Sequence, residues 1–212
     1  MKNNWQIPEW DRHFTARLRN GNYQQKQRTL ALSYVEEFDL AIDIGANIGF
    51  WTRELCSKFK KVWAFEPSVE NCEYLKKNVI ADNYELERIA LSDKQDKNVE
   101  LYATSSHSCG DLRLEKKDNA FIESYVDLKR LDDYIDKFEK VDFIKIDTQQ
   151  SEREILLGAE QTLREFRPVL CVELPTRGLE ELNYKVKCQT ILNDFGYYEK
   201  FRKSKETIYI KD

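Results

Sequence analysis

Glycine, proline and histidine are scarce in this sequence. Its 212 residues include 7 glycines, 4 prolines and 2 histidines. So little glycine and proline argues against a disordered or collagen-like chain. Because 41% of the residues are hydrophobic, a chain of this length can bury a substantial core. We therefore expect one domain, or one domain with a small appendage.

Paired cysteines and long apolar runs are also missing. The five cysteines are odd in number and none belongs to a C-x-x-C pair, which is typical of reduced thiols in a cytosolic protein. With two histidines and no close Cys/His cluster, no metal site is predicted. No stretch approaches the roughly 18 apolar residues of a membrane helix, and residues 1–8 contain no apolar signal-peptide segment. The sequence thus favours a cytoplasmic protein with no membrane partner.

The sequence also lacks an excess of positive charge. Its 34 basic and 38 acidic residues give a net charge of −4, which argues against a broad nucleic-acid-binding surface. The segment 11–28 is an exception, because it holds five basic residues against one acid, with aromatic residues close by. Such a segment could contact a nucleotide, a phosphorylated sugar or a single-stranded nucleic acid, or it could be a solvated helix face anchored by its aromatics. We expect residues 1–38 to form an N-terminal arm or cap with a helix, and 39–212 to form the main domain.

The rest of the sequence alternates apolar, strand-like runs with helix-like segments. This rhythm predicts a mostly parallel α/β sheet with helices on both faces and an antiparallel edge. The predicted strands are residues 40–44, 62–65, 86–91, 98–103, 124–128, 141–147 and 168–174, followed by a hairpin of 197–201 with 207–210. The predicted helices are residues 48–59, 69–80, 131–138, 151–166 and 189–195. Ser68 is the expected N-cap of the second helix.

The turn after the first strand carries the first functional signal. Open α/β sheets bind ligands beyond the carboxyl ends of their strands. Gly45 and Gly49 flank this turn and let the backbone approach a ligand closely. Glu66 stands 21 residues after Gly45, at the end of the second strand, where a carboxylate can accept hydrogen bonds from a ribose diol. These positions predict a cofactor that contains a ribose, and a turn without a ligand is the alternative.

Two classes of cofactor contain such a ribose. A dinucleotide needs glycine at the second and third positions of G-x-G-x-x-G, but Asn47 and Phe50 stand there. S-adenosylmethionine (SAM) has no phosphates and does not need that close approach. It offers a ribose to Glu66, a charged amino acid moiety to Asp43 and the turn, and an adenine to a later strand end. The sequence therefore favours SAM over a nicotinamide dinucleotide.

Five ordered motifs between residues 39 and 174 are similar to those of one family. They are residues 43–49 (DIGANIG), 65–67 (FEP), 89–93 (IALSD), 105–106 (SS), and 144–147 (IKID) with Glu152, Leu156, Gly158, Ala159, Arg167, Pro168 and Glu173. On these motifs the chain resembles the FkbM-type SAM-dependent methyltransferases. The resemblance implies a Rossmann-like class I methyltransferase fold, with a mostly parallel seven-stranded sheet that carries an antiparallel edge strand.

The resemblance also implies a cofactor and an activity. SAM is the expected methyl donor, and a hydroxyl of a small molecule or sugar is the expected acceptor. Residues 39–212 are then the SAM-binding methyltransferase domain. The residues expected to bind SAM are Asp43, Gly45, Ala46, Asn47, Gly49, Glu66, Pro67, Ser92, Asp93 and Asp147, the last beside the methyl group.

One segment departs from the family pattern. After the strand-end Asp147 the family usually has Glu-Gly, whereas this chain has Gln149 and Gln150. A glutamine cannot accept a proton, so a general base at that carboxylate is absent here. Gln150 has a side chain and does not easily adopt a positive φ, so we expect a changed loop shape.

Three residues are candidates for the proton transfer that a hydroxyl acceptor requires. Asp147 ends a strand beside the expected donor, and it could act as the base, hold the substrate or cap the following helix. Glu173 ends the next strand and could instead pair with an arginine or the backbone. His107 lies in a loop of small residues, and its imidazole has a suitable ordinary pKa, although a lone surface histidine is often incidental.

Other functions compete with O-methylation of a small molecule or sugar. A nucleic-acid or nucleotide methyltransferase would use the basic arm. A non-catalytic protein could bind a ligand through the same crevice, which the Gln149-Gln150 departure allows. A nicotinamide oxidoreductase is disfavoured by Asn47 and Phe50.

Overall fold

The computed structural model describes residues 5–18, 23–104, 108–175, 178–203 and 205–211. Its strands are β1 (Leu40–Ile44), β2 (Lys61–Phe65), β3 (Tyr84–Glu87), β4 (Ala90–Leu91), β5 (Asp96–Ala103), β6 (Leu112–Arg113), β7 (Phe121–Lys129), β8 (Phe143–Ile146), β9 (Val169–Glu173), β10 (Tyr198–Lys203) and β11 (Glu206–Ile210). Its helices are α1 (Arg12–Leu18), α2 (Gln25–Leu32), α3 (Phe50–Cys56), α4 (Val69–Asn78), α5 (Glu152–Leu157), α6 (Glu160–Phe166) and α7 (Leu179–Asp194). A 3-10 helix, Leu131–Lys137, lies between β7 and β8.

A seven-stranded sheet forms the centre of the fold, in the order β10-β11-β9-β8-β1-β2-β3. The five strands from β9 to β3 are parallel. Strand β1 lies in the middle of these five parallel strands and all its residues are buried, because both faces of the sheet are covered. Ile42 and Ile44 pack into the core on one face and Ala41 into the core on the other, as the two-residue period of a strand requires.

The expected antiparallel edge strand is corrected in one respect. The antiparallel strand is β11, which pairs with β9 and lies second from the edge, while β10 is outermost. The burial of the hairpin explains this order. Ile208 and Tyr209 of β11 are buried, whereas the residues of β10 are largely exposed. The more apolar strand therefore takes the inner position.

A second sheet of four strands, in the order β4-β7-β5-β6, was not predicted. The expected strand at 86–91 is divided between the two sheets. Glu87 forms the last pair with Phe65 at the end of β2. Beyond it the chain leaves the large sheet, and Ala90 pairs with Leu128 of β7. A continuous run of strand-like residues hides this change of partner.

The helix expected at 151–166 is interrupted and forms α5 and α6. The interruption is at Gly158, where an added Cβ would lie 2.0 Å from the carbonyl oxygen of Ser92. The Gly158 carbonyl accepts a hydrogen bond from the backbone N–H of Asp132 at 3.0 Å. The close approach of two other segments therefore ends the first helix, although the apolar spacing continues through it.

Two helix boundaries show what local sequence can and cannot predict. Ser68 caps α4 as expected, since its side chain accepts from the N–H of Asn71 at 3.3 Å. Helix α7 begins ten residues before the predicted start at 189. Leu179 and Val186 are exposed on it, so its first half lacks the apolar periodicity by which a helix is recognised.

The N-terminal segment packs over the start of α3. Phe14 and Tyr23 contact Phe50 with ring centroids 5.0 and 4.9 Å apart. In α2, Ala31 is fully buried, and Arg28 is nearly buried and paired with Glu54. The aromatic side chains thus anchor this segment on α3. This agrees with the alternative in which the segment is a helix face anchored by its aromatics. No helix within the described ranges is long and apolar enough to cross a membrane.

Candidate active site

The carboxyl ends of the parallel strands open into a cavity of about 450 Å3. Ligands bind at this end of open α/β sheets, and the volume is within the usual range for a small-molecule pocket. Most of the predicted site residues line the cavity, namely Gly45, Ala46, Asn47, Glu66, Pro67, Asp147 and Glu173. The fold thus brings residues from four strand ends, β1, β2, β8 and β9, to one place.

The other predicted site residues lie away from the cavity or outside the described residues. Within the described part of the chain, the cavity lining does not include Asp43, Gly49, Ser92 or Asp93. The backbone of Ser92 packs against Gly158, and the side chain of Asp93 is exposed. His107 and the pair at 105–106 lie outside the described residues.

The turn after β1 approaches the turn after β8 very closely. Gly45 has a φ of +78°, and an added Cβ would lie 2.0 Å from the carbonyl oxygen of Asp147. The N–H groups of Gly45 and Ala46 donate to the carbonyl of Phe65 at 2.9 and 3.1 Å. Only glycine tolerates both this conformation and this contact. Gly45 is therefore required for the two turns to meet.

Glu66 is a buried carboxylate that the protein supplies with donors. Its Oε2 accepts from the N–H of Asn47 at 2.7 Å, and its Oε1 accepts from the N–H of Ser68 at 3.0 Å and from Asn71 Nδ2 at 3.2 Å. Burial raises the pKa of Glu66 to about 7, and these three hydrogen bonds act in the opposite direction. The carboxylate is thus held in a fixed orientation at the end of β2.

Asp43 is a buried residue of β1 that does not line the cavity. It is 1% exposed, and its Oδ2 accepts a hydrogen bond from Thr52 Oγ1 at 2.6 Å. Burial raises the pKa of Asp43 to about 6, against the effects of Thr52 and Lys145. Asp43 thus connects β1 to α3. Any effect that it has on a ligand therefore acts through the turn between these two elements.

A buried charge cluster lies where β8 and β9 end. The Lys145 side chain is fully buried, and its Nζ lies 3.3 Å from Asp147 Oδ2. Burial opposes the charge of this lysine, but the nearby carboxylates, Asp147 first among them, raise its pKa above the ordinary value. Glu173 Oε1 lies 3.3 Å from Lys205 Nζ. The cluster therefore contains two carboxylates and two ammonium groups.

Asp147 and Glu173 stand side by side, because each directly follows or ends one of the paired strands β8 and β9, and both line the cavity. Burial raises the pKa of Glu173 to about 8, with a further contribution from the charge of Asp147. Two carboxylates in contact cannot both be ionised without strong repulsion. Burial and the neighbouring carboxylate therefore favour the protonated form of Glu173 at neutral pH, because its pKa is raised.

The loop after β8 adopts an unusual backbone. Gln149 and Gln150 have φ values of 56° and 79°, so Gln150 adopts the left-handed conformation that we expected its side chain to avoid. Glu152 is buried and stabilises the loop, because its Oε1 accepts from the N–H groups of Thr148 and Gln150 at 3.1 and 3.2 Å. The buried carboxylate of Glu152 thus holds the loop in this conformation.

The sequence did not predict that the loop before β6 forms part of the cavity wall. Cys109 donates its N–H to Asp11 Oδ2 at 2.8 Å. Its carbonyl accepts from Asn47 Nδ2 and Asn71 Nδ2, each at 3.0 Å. Burial raises the pKa of the Cys109 thiol, so the residue acts through its backbone. No local sequence signal marks such a role.

The sequence prediction also missed how far the N-terminal segment enters the site. Several of its side chains line the cavity, namely His13, Phe14, Arg17, Tyr23, Gln24 and Gln27. The mixture of cations and aromatics in 11–28 is the signal that points to this role. It does not indicate which of these side chains reach the cavity.

Two solved structures are similar in fold to this chain. One is a methyltransferase FkbM from Methylobacillus flagellatus, with 20% identity and a TM-score of 0.57 over 84% of this chain. The present chain spans 45% of the length of that protein. The other is precorrin 8W decarboxylase from Methanobacterium thermoautotrophicum, with 17% identity and a TM-score of 0.53 over 91% of this chain and 92% of that one. At these identities the likeness concerns the fold, a mixed α/β fold of the class I methyltransferase type.

A search among curated proteins finds no significant match. The family comparison gives a clear result, because the sequence profile of the methyltransferase FkbM domain matches residues 43–198. That range begins in β1, ends at the start of β10 and includes the carboxyl ends of β1, β2, β8 and β9, which reach the cavity. The match covers well over half of the sequence and confirms the resemblance of its motifs, so the chain belongs to the FkbM methyltransferase family.

Proposed function

We propose that the protein transfers a methyl group from SAM to a hydroxyl of a small molecule or sugar. In this proposal residues 39–212 bind SAM, and residues 1–38 form a cap that completes the site. One observation carries it. A single cavity contains both the turn and acid suited to SAM, Gly45 and Glu66, and a carboxyl group, that of Asp147, suited to accept the proton of a hydroxyl.

The cavity has features that fit each part of SAM. Glu66 is fixed at the end of β2, where it can accept hydrogen bonds from the ribose diol. The Gly45 turn provides close backbone contact for the amino acid moiety. Ile89, Leu91 and Leu101 form an apolar wall suited to adenine. When bound, SAM supplies an electrophilic methyl group on its sulfonium.

The remaining chemistry belongs to the residues at the ends of β8 and β9. A hydroxyl nucleophile must lose its proton, and Asp147 is the group that can accept it. Lys145 lies 3.3 Å from Asp147 and stabilises its carboxylate. Glu173 lies beside Asp147, and its raised pKa favours a neutral carboxyl group next to the base. Gln149 also lines the cavity, but its amide can only orient the acceptor.

The first test separates binding from chemistry. Calorimetric titration should show that S-adenosylhomocysteine binds and that a reduced dinucleotide does not. Asp147→Asn should keep this affinity, while methyl transfer from labelled SAM to a panel of hydroxylated sugars and small molecules falls about a hundredfold or more, as expected for a lost general base. Asp136→Asn is the matched control, because Asp136 is exposed and does not line the cavity, and it should retain activity.

Two outcomes would contradict the proposal in different ways. Failure of the wild-type protein to bind S-adenosylhomocysteine would remove SAM as the cofactor. Full activity of Asp147→Asn would keep the cofactor and remove Asp147 as the base.

A further inference from the structure

The cavity continues beyond the Asp147–Glu173 pair toward the N-terminal segment and the loop before β6. Phe14 of α1 packs against that loop, since an added Cβ on Gly110 would lie 3.4 Å from the Phe14 ring. Arg17 is one helical turn after Phe14, and Arg113 is three residues after Gly110. Both arginines line the cavity. Two guanidinium groups from separate elements therefore face the same space.

Among the residues that the structure describes, Arg113 has hydrogen-bond partners but no ion pair with a carboxylate. Its Nη1 donates to the carbonyl of Gln149 at 3.2 Å, and its Nη2 to Gln149 Oε1 at 3.5 Å. Its Nε is buried and has no acceptor among the described residues. A guanidinium with neutral partners and an unused N–H is favourable only when an anion joins it. Gln149 follows Asp147 closely in sequence, so this arginine lies near the site of methyl transfer.

Arg17 is the second cation without a carboxylate partner. It is exposed on α1, and the described residues place no acid within 4 Å of its guanidinium. It lies over the ring of Tyr23, 5.7 Å from the centroid. Tyr23 is close enough to Asp147 and Glu173 for their charges to raise its pKa further, after the larger effect of burial. Arg17 and the acid pair thus both lie near the same aromatic side chain.

The neighbouring acids in the cavity wall are already occupied. Asp147 is paired with Lys145, and Glu173 with Lys205. Glu206 accepts a hydrogen bond from Gln24 Nε2 at 3.2 Å. Neither these acids nor Asp111, which also lines the cavity, forms an ion pair with Arg17 or Arg113 within the described part of the chain, so both guanidinium groups remain available to a ligand.

We propose that the methyl acceptor is an anion whose carboxylate or phosphate group binds to Arg113 and Arg17, while its hydroxyl lies at Asp147. This inference rests on the proposed function, because it identifies the class of acceptor for that reaction. Arg113 provides the planar, two-donor contact that such oxygens prefer. Arg17 adds charge from the cap. The two arginines then select the acceptor and orient it for transfer.

Inorganic phosphate is the probe for this anion site. It is titrated into protein saturated with S-adenosylhomocysteine, at an ionic strength held constant with potassium chloride. The wild-type protein should bind phosphate, and Arg113→Gln should weaken the binding about tenfold. Arg113→Lys should weaken phosphate binding less than Arg113→Gln does, because lysine keeps the positive charge. Arg17→Gln should weaken binding, whereas Arg12→Gln, on the same helix but not in the cavity lining, should not.

The same variants distinguish an acceptor site from a site for the carboxylate of SAM itself. S-adenosylhomocysteine carries that carboxylate and 5′-methylthioadenosine does not. The proposal requires that Arg113→Gln leave both affinities unchanged. A loss of affinity for the first alone would assign Arg113 to the cofactor and overturn the proposal.

Two further results would also overturn it. One is the absence of phosphate binding beyond that of chloride in the wild-type protein. The other is equal phosphate binding by the wild-type protein and both glutamine variants. If S-adenosylhomocysteine itself fails to bind, the proposed function fails, and titration of phosphate into the free protein still decides whether the arginines form an anion site.

Discussion

Glu66 shows how one buried carboxylate can be held ready for a ligand. The N–H groups of Asn47 and Ser68 and the amide of Asn71 all donate to it. Burial nevertheless outweighs them and raises the pKa of Glu66 to about 7. The ionised form is the stronger acceptor for a ribose diol. Ionisation and cofactor binding should therefore favour each other near neutral pH.

This linkage predicts a pH-dependent affinity for S-adenosylhomocysteine. Below the pKa, binding must first remove a proton from Glu66, so the affinity should fall about tenfold from pH 8 to pH 6. Glu66→Gln should bind about tenfold more weakly at pH 8, because a charged hydrogen-bond acceptor is lost. Its affinity should also change much less with pH. Calorimetry across this pH range measures both effects, and a wild-type affinity that does not change with pH would remove Glu66 from the ribose site.

At the scale of the element, the loop after β8 balances strain against hydrogen bonds. Gln149 and Gln150 both occupy the left-handed region, which costs a residue with a Cβ about 1 kcal/mol or more. The buried Glu152 compensates by accepting hydrogen bonds from Thr148 and Gln150. Its other oxygen, Oε2, accepts from the hydroxyl of Tyr184 on α7 at 3.1 Å. The loop conformation is thus imposed by its surroundings.

Substitution of Gln150 should expose this strain. Gln150→Gly and Gln150→Ala both remove the side chain and keep the N–H that donates to Glu152, but only glycine adopts a φ of 79° without strain. The glycine variant should therefore be more stable than the alanine variant by about 1 kcal/mol. Urea unfolding of the two variants measures this difference. Equal stability, or a more stable alanine variant, would mean that the loop is not strained at Gln150.

The elements that could be predicted are those whose signal is local. The apolar run of β1 and the cap at Ser68 lie where the sequence indicates. The division of residues 86–91 between two sheets and the break at Gly158 could not be predicted, because they depend on contacts with β7 and with Ser92. Helix α7 was predicted too short, since its exposed Leu179 gives no periodic pattern. Pairing partners and close approaches are properties of the assembled fold.

The same distinction applies to the candidate site. Gly45, Glu66 and Asp147 stand at strand ends, so the strand pattern alone brings them to one edge of the sheet. Arg17 comes from the N-terminal segment and Arg113 from β6, which pairs with β5, so neither position follows from the pattern of the large sheet. The sequence therefore predicts the site residues at the strand ends, and it indicates the basic segment 11–28 without showing that Arg17 lines the cavity or that Arg113 does.

At the scale of the whole molecule, a chain of hydrogen bonds connects the N-terminal segment to the predicted cofactor site. Asp11 is fully buried and accepts from the N–H groups of Phe14 and Cys109 at 2.7 and 2.8 Å. The carbonyl of Cys109 in turn fixes the side chains of Asn47 and Asn71. Both asparagines donate to Glu66, one through its backbone. The cap should thus influence cofactor binding without touching the ribose.

Asp11→Ala tests this connection. The variant leaves two buried N–H groups without acceptors, so the free energy of unfolding should fall by about 2 kcal/mol. If the cap positions the asparagines, the affinity for S-adenosylhomocysteine should also fall severalfold in the protein that remains folded. Glu9→Ala is the control, because Glu9 is an exposed acid of the same segment, and it should change neither quantity. Loss of stability with an unchanged affinity would make Asp11 an anchor of the cap alone, whereas loss of both would show that the cap and the cofactor site act as one unit.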